Sequence, residues 1–186
     1  QILKFCFKHD LPIVPQGGNT GLVGGGVPRK NKNEIIINLS KLNRIRDIDS
    51  IGNSITVESG CILDNVKNEL YNKNLEFPLS MGSRGSCQIG GNIATNAGGV
   101  NVIKYGTFRQ NIIGIEAVLA DGTIFSSLKK IKKNNTGIDL KHLLIGSEGI
   151  LGIITAATIQ IFPLPKDKLI IWTSFTEFKD VLDFYH

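Results

Sequence analysis

The chain has 186 residues, of which 41% are hydrophobic and 20% charged, a composition typical of a globular domain and not of a disordered protein. Its net charge of +5 is scattered apart from one lysine cluster at 129–133. That cluster lacks interleaved aromatic residues, so we predict a solvated loop there and no nucleic-acid partner. No run of 18 apolar residues occurs, so no membrane span is predicted, and three cysteines without a C-x-x-C pair argue against a disulfide scaffold.

Hydrophobic periodicity and turn residues divide the chain into short elements. Helices are predicted at 2–8, 61–74 and 139–145, and strands at 11–14, 34–40, 45–49, 54–59, 115–120, 123–127 and 155–162. The dipeptide Asp121-Gly122 predicts a hairpin with a type I′ turn. Residues 169–186 predict a strand and then a helix, with a capping box between Ser174 and Glu177.

Strands outnumber helices and do not alternate with them, which predicts an α+β fold and not a doubly wound sheet. A proline- and charge-rich joint, "PLPKDK", precedes the last segment. We therefore expect one domain over 1–165 and the beginning of a second over 166–186. Because the chain opens with Gln1 directly in an apolar pattern, we expect it to be a fragment or a processed chain.

Three glycine-rich segments interrupt these elements, and they hold the clearest functional signal. The first glycine segment is "PQGGNTG" at 15–21, the second is "GSRGSCQIGGNIATNAGG" at 82–99, and the third is "IGSEGILGIIT" at 145–155. Glycine costs roughly 0.5–1 kcal/mol relative to alanine within a regular element. Three such segments in one small domain therefore indicate a backbone that approaches a ligand closely.

None of the segments matches a common phosphate motif. Gly21 and Gly26 have the P-loop spacing, but Val27 and Pro28 follow where a lysine is required, and no glycine triple fits the dinucleotide fingerprint. Successive N–H groups in a turn can still form an anion-binding nest. Gly17, Gly18 and Gly21 tolerate positive φ and the Thr20 hydroxyl adds a donor, so we expect the first segment to hold a pyrophosphate.

Other chemistry-bearing residues are isolated. His9, His142 and His186 are too far apart in the sequence to predict a metal site, so we assign none. Cys87 lies inside the second segment, where we interpret it as a small packing residue. Ser147 lacks the register of a hydrolase nucleophile. We assign no catalytic residue to this chain.

The motifs "PQGGNTGLVGG", "GSCQIGGNIATNAGG", "YGTFRQNIIGIEAVLADGT" and "IGSEGILGIIT", in this order, resemble the FAD-binding (PCMH-type) domain of the vanillyl-alcohol oxidase flavoprotein superfamily. Within it they are most similar to the 2-hydroxy-acid dehydrogenase branch, and in that branch to the D-2-hydroxyglutarate dehydrogenases. The similarity runs from about residue 11 to 165. It implies two α+β subdomains with FAD held between them.

The resemblance also implies roles for individual residues. The first segment would bind the flavin pyrophosphate through Pro15, Gly17, Gly18, Asn19, Thr20 and Gly21. The second would line the ribityl chain, pyrophosphate and isoalloxazine through Gly82, Ser83, Ser86, Gly90, Gly91, Asn92, Thr95, Asn96, Gly98 and Gly99. The third would contact FAD through Glu148, Gly149, Gly152 and Ile153, with Glu148 alternatively a structural carboxylate that ties loops together.

The resemblance implies a flavoenzyme that oxidises a small 2-hydroxy acid, D-2-hydroxyglutarate to 2-oxoglutarate, with the substrate groups in a C-terminal cap domain. It implies a mitochondrial location and an electron-transfer flavoprotein as acceptor. Some relatives attach the flavin through a histidine where this chain has Asn19, so we expect FAD to be bound non-covalently. Two alternatives stay open: the FAD domain of a D-lactate or glycolate dehydrogenase, or a non-catalytic nucleotide-binding fragment.

Overall fold

The computed structural model describes residues 1–30 and 32–185, so His186 lies outside the described residues. The helices are α1 Ile2–Lys8, α2 Leu63–Tyr71, α3 Ile89–Ala94, α4 Val102–Tyr105, α5 Phe108–Asn111, α6 Lys141–Leu144 and α7 Phe178–Tyr185. The strands are β1 Ile13–Gln16, β2 Ile35–Asn38, β3 Ile45–Asp49, β4 Ser54–Glu58, β5 Leu75–Glu76, β6 Ile112–Val118, β7 Ile124–Ser126, β8 Ile153–Gln160 and β9 Phe162–Pro163. None of the helices described is both long and apolar enough to cross a membrane.

A five-stranded antiparallel sheet in the order β3-β4-β8-β6-β7 forms the centre of the molecule. Strand β8 pairs with β4 on one side and with β6 on the other, so six of its eight residues are buried. Strands β1 and β2 form a separate two-stranded parallel ribbon, and β5 pairs with β9. The molecule therefore has two parts, one built on the β1–β2 ribbon and one built on the five-stranded sheet.

One face of the large sheet carries the hydrophobic core. Ile55 and Val57 alternate on β4 and are fully buried in one apolar cluster with residues of α2 and α3. The four-residue spacing of Val66 and Leu70 puts both on the buried side of α2, as the sequence predicts. Burial of each such side chain stabilises the fold by about 1.5–3 kcal/mol. The core therefore holds both α2 and α3 against the sheet.

The other face of β4 carries a buried ion-pair network. Glu58 is 1% exposed and accepts hydrogen bonds from the backbone and guanidinium of Arg44 and from Arg46. Arg46 also pairs with Glu116 on β6, which accepts a hydrogen bond from the Thr155 hydroxyl. Burial acts to raise the pKa of Glu58, but the hydrogen bonds from Arg44 and Arg46 outweigh it and the pKa is lowered.

Most predicted elements are present, including the helix at 2–8 and the antiparallel pair at 45–49 and 54–58. The prediction of a type I′ turn at Asp121-Gly122 is wrong. Of the two central residues only Gly122 has a positive φ, and its N–H bonds to the Leu119 carbonyl, which makes a longer hairpin loop with glycine in the left-handed position.

The prediction for the C-terminal segment is partly wrong. Helix α7 is present, but it begins at Phe178, so the capping box of Ser174 and Glu177 does not form, and 169–175 is not a strand. All residues from 166 to 185 are exposed. The backbone groups of a strand must form hydrogen bonds with a neighbouring strand. None of the described strands pairs with 169–175, so this segment does not form one. The boundary at 165 stays a prediction.

Candidate functional site

The three glycine segments meet in one cleft between the β1–β2 ribbon and the large sheet. The first segment directly follows β1, the second contains α3, and the third leads into β8. A cavity of about 210 Å³ lies where they converge, and its lining includes eleven of the predicted site residues: Pro15, Gly17, Gly18, Asn19, Thr20, Gly21, Ser83, Gly91, Asn92, Thr95 and Glu148. A larger apolar cavity of about 740 Å³ adjoins it at Pro15 and Glu148.

The first segment offers a row of free backbone donors. The N–H groups of residues 17–21 donate to no other described residue, although these residues line the cavity. Unpaired N–H groups on a turn attract an anion, because each carries partial positive charge and needs an acceptor. This arrangement suits a phosphate-bearing ligand.

The residue in this segment with left-handed backbone is not a glycine. Asn19 has a φ of +50°, whereas Gly17, Gly18 and Gly21 are not among the positive-φ glycines. Asparagine tolerates this conformation better than most residues. Gly18 is needed for another reason, since a Cβ there would overlap the Ser86 carbonyl.

Helix α3, which the sequence did not predict, forms the floor of the cavity. Its consecutive glycines face opposite ways. A Cβ on Gly90 would lie 2.5 Å from the Ser59 side chain, whereas one on Gly91 would meet no heavy atom within 4 Å. Gly90 therefore lets the helix approach the sheet, and Gly91 leaves space in the cavity. Asn92 is 4% exposed, and its Nδ2 lies 3.5 Å from the Cys87 sulfur.

Gln88 is a cavity residue that sequence reasoning missed. It is 6% exposed, its Nε2 donates to the Ser40 hydroxyl at 2.9 Å, and its Oε1 is buried without a partner among the described residues. It stands at the N-cap of α3 without capping it. Gln88 lies at the cavity because it directly precedes α3. The sequence does not predict α3, since its small residues show no hydrophobic period.

The third segment is fixed to both other segments through its backbone. The N–H of Gly146 donates to Ile93 at 3.1 Å and that of Glu148 to Ala94 at 2.8 Å, both at the end of α3. A Cβ on Gly149 would lie 2.7 Å from Pro15 Cγ, so the segment also packs against the first one. Gly146, Glu148 and Gly149 all have positive φ.

Gly90, Gly149, Gly152 and Ile153 line a small cavity of about 60 Å³ that adjoins the other two at Pro15 and Glu148. Five other predicted site residues line none of these three cavities: Gly82, Ser86, Asn96, Gly98 and Gly99. Asn96 instead accepts a hydrogen bond from the Arg109 N–H, and Gly99 packs on the Ser80 carbonyl with a φ of +82°. A contact between these five residues and a ligand stays a prediction.

Arg109 and Cys87 are structural in this arrangement. The Arg109 guanidinium donates to the carbonyls of His142 and Ile145, which ties α5 to the third segment. Cys87 is 1% exposed, as a packing residue should be. Neither large cavity is lined by histidine, lysine or arginine among the described residues. The cleft can therefore hold a cofactor, but it lacks cations for a carboxylate substrate.

Backbone N–H groups without an acceptor among the described residues, beside an apolar cavity, are the features of a domain that binds a ligand with an anionic part and an apolar part. The sequence profile of a family described as "FAD binding domain" matches residues 1–127. The chain belongs to this FAD-binding family, which confirms the resemblance and the predicted cofactor, FAD. The cleft fits FAD, since it offers donors for the pyrophosphate and apolar space for a ring.

Several named proteins are similar along nearly the whole chain. "D-2-hydroxyglutarate dehydrogenase, mitochondrial" of Danio rerio is 44% identical over 183 residues, covering 98% of this chain and 34% of that protein. "Probable D-2-hydroxyglutarate dehydrogenase, mitochondrial" of Oryza sativa subsp. indica is 50% identical over 159 residues, covering 86% and 28%. "Putative D-lactate dehydrogenase C713.03, mitochondrial" of Schizosaccharomyces pombe is 46% identical over 182 residues, covering 98% and 34%. The chain thus spans about a third of these relatives.

A solved structure confirms the predicted α+β fold. An alkyldihydroxyacetonephosphate synthase superposes with a TM-score of 0.80 at 24% identity, covering 89% of this chain and 30% of that one. At this identity the likeness shows the fold alone.

Proposed function

We propose that this chain is the FAD-binding part of a flavin-dependent dehydrogenase that oxidises D-2-hydroxyglutarate to 2-oxoglutarate in mitochondria. The convergence of the three glycine segments on one donor-lined cleft carries the proposal. The names of relatives that are 44% and 50% identical support the substrate and the location. An electron-transfer flavoprotein as acceptor is part of the proposal and rests on the sequence resemblance.

In this proposal the N–H groups of residues 17–21 and of Gly91 bind the FAD pyrophosphate. Among the described residues none of them has an acceptor of its own. Asn92 and Gln88 are buried polar side chains on the same cavity, so they orient the more polar parts of the cofactor. Pro15, Gly149 and Ile153 supply apolar walls that exclude water.

When bound, FAD supplies the acceptor for the two electrons that leave C2 of the hydroxy acid. Oxidation also needs a base within hydrogen-bond reach of the substrate hydroxyl and cations that hold the carboxylates. No histidine, lysine or arginine lines the cleft in the described part of the chain. We therefore place these groups in the remainder of the protein, outside the 186 residues.

The test is anaerobic mixing of the FAD-loaded full-length protein with D-2-hydroxyglutarate while the flavin absorbance is followed. We expect rapid bleaching, on the scale of about 1–1000 per second that is typical of enzymes. The 186-residue chain, loaded with FAD, should bleach with dithionite but not with the hydroxy acid. Bleaching of the short chain by the hydroxy acid would contradict the proposal that the base and the cations lie outside these 186 residues.

A second candidate is oxidation of D-lactate, because the Schizosaccharomyces pombe relative is named a putative D-lactate dehydrogenase at 46% identity. The two substrates differ by a second carboxylate, which needs an additional cation in the site. Parallel mixing with D-lactate and with glycolate separates the candidates. Faster bleaching by D-lactate than by D-2-hydroxyglutarate would favour this second function.

A further inference from the structure

Arg109 contacts the chain at the point where helix α6 ends and the third glycine segment begins. The last turn of an α-helix leaves carbonyl groups without backbone donors. The donor that would continue α6 by bonding to the His142 carbonyl is the N–H of Gly146, four residues later. That N–H donates instead to the carbonyl of Ile93, on α3, at 3.1 Å. The Arg109 guanidinium takes its place and donates to the His142 carbonyl at 2.7 Å and also to the Ile145 carbonyl.

A single planar group thus holds both carbonyls. One bond comes from Nη1 of Arg109 and the other from Nη2. The fixed geometry of this fork suits two acceptors at once, which an ammonium group on a flexible stem does not. The guanidinium therefore ends α6 at a defined point and leaves the Gly146 N–H for α3. Gly146 has a φ of +79°, so the chain changes direction there.

Arg109 also contacts the second glycine segment. Its backbone N–H donates to Asn96 Oδ1 at 3.1 Å, and Asn96 lies just after the end of α3. Gly146 is packed against both residues, because a Cβ there would lie 3.0 Å from Arg109 Nη2 and 3.5 Å from Asn96 Cβ. One residue that belongs to neither segment therefore fixes the position of the third segment relative to the second.

The third segment has little hydrophobic anchoring of its own at its centre. Ile150 is 85% exposed and Leu151 is 50% exposed, and the backbone bonds to α3 come from Gly146 and Glu148. The segment nevertheless forms part of the cleft wall, since Glu148 lines all three cavities. A wall with few buried side chains opens locally at a low cost in free energy. Ordering such a wall on binding lowers the affinity for the ligand.

We propose that Arg109 is a positioning residue for the cofactor, because its guanidinium holds the third glycine segment in place before FAD binds. Arg109 is not among the described residues that line the three cavities, so it acts through the segment and not through contact with the ligand. It precedes Ile145 by 36 residues, so it lies outside all three glycine segments. This inference rests on the proposed function of the chain as an FAD-binding part.

The first test titrates the full-length apoprotein and its Arg109→Ala variant with FAD in a calorimeter. We expect the affinity of the variant for FAD to fall about tenfold or more, which is about 1.4 kcal/mol. At saturating FAD the turnover of D-2-hydroxyglutarate should be unchanged, because the bound cofactor then orders the segment. Arg29→Ala is the matched control. It removes an exposed guanidinium that pairs with Glu34 and lines none of the three cavities, so it should change neither quantity.

Two further measurements separate positioning from general stability. Millimolar methylguanidinium should restore the FAD affinity of Arg109→Ala, whereas methylammonium at the same concentration should not, because only the former reproduces the planar fork. Hydrogen exchange in the apoprotein variant should be faster at the amides of Gly146 and Glu148 and unchanged in β4 and β6. Arg109→Lys keeps the charge without the fork, so it should also lose FAD affinity, and it provides the test if the alanine variant does not fold.

The contrary outcomes are distinct. Equal FAD affinity of Arg109→Ala and the unsubstituted protein would overturn the inference, and so would full affinity in Arg109→Lys or restoration by methylammonium. Faster exchange throughout β4 and β6, or failure of both variants to fold, would show that Arg109 supports the whole domain and would also overturn it. Failure of the unsubstituted protein to bind FAD would instead overturn the proposed function itself.

Discussion

The Cα of Gly18 lies directly against the backbone of Ser86. A Cβ on Gly18 would overlap the Ser86 carbonyl oxygen and lie 3.0 Å from the carbonyl carbon. The first glycine segment is thus packed onto the second without room for a side chain. This contact holds in place the N–H groups of residues 17–21, which have no acceptor among the described residues, beside α3 at the cavity.

Substitution of Gly18 should damage the cleft through this contact. Gly18→Ala must shift the first segment away from Ser86, so we expect FAD affinity to fall about tenfold or more, which is about 1.4 kcal/mol. Gly21→Ala is the matched control, since a Cβ there meets no heavy atom within 4 Å and Gly21 is not among the positive-φ glycines. It should leave the thermal midpoint unchanged. Equal FAD affinity for Gly18→Ala and the unsubstituted protein would refute this account.

Gly90 and Gly91 should respond to substitution in opposite ways. Gly91→Val places its side chain in open cavity space, so the protein should fold normally while FAD binding is lost. Gly90→Ala forces α3 away from Ser59, and we expect about 1–3 kcal/mol of destabilisation from this overpacking. Urea unfolding and FAD titration of both variants measure the two effects. A Gly91→Val protein that binds FAD normally would remove this face of α3 from the cofactor site.

FAD should be released when the protein is denatured. Asn19 stands where some relatives of the resembled superfamily carry a flavin-linked histidine, and an amide is not a nucleophile. Acid precipitation of the FAD-loaded protein should therefore leave the yellow colour in the supernatant. Colour that stays in the washed pellet would demonstrate a covalent link.

The stability of the fold should depend on pH through Glu58. Its pKa in the folded protein lies below the ordinary value of 4.5, so its contribution is fully present above that value and is lost as the pH falls through the folded pKa. Glu58→Gln should lose about 2 kcal/mol at pH 7, since hydrogen bonds to Arg44 and Arg46 lose their charge.

Urea unfolding between pH 7 and pH 3 measures this dependence. The unsubstituted protein should lose stability on acidification more steeply than Glu58→Gln, because the variant has no carboxylate to protonate at this position. Glu69→Gln, at a half-buried residue of α2 that pairs with Lys73, serves as the control and should keep the original slope. Parallel curves for Glu58→Gln and the unsubstituted protein would contradict the prediction.

The sequence alone determined the class of the fold and the segments that form the cleft. Period-2 alternation placed β3 and β4, because one face of each must be apolar, and a four-residue spacing placed α2. The density of glycine identified the three segments as candidate ligand-binding loops. Glycine loses more backbone entropy on folding than other residues, so such a density indicates a backbone that approaches a ligand closely. The family motifs then specified FAD.

What each residue in those segments does was decided by tertiary structure alone. Gly90 and Gly91 are adjacent and identical, yet one faces Ser59 and the other faces the cavity, because α3 turns consecutive residues to different sides. That helix was hidden, since small residues show no hydrophobic period. The position of Glu148 at the cavity and the contact of Gly18 with Ser86 depend on segments far apart in the chain. Sequence fixes local preferences, but only packing brings such segments within contact distance.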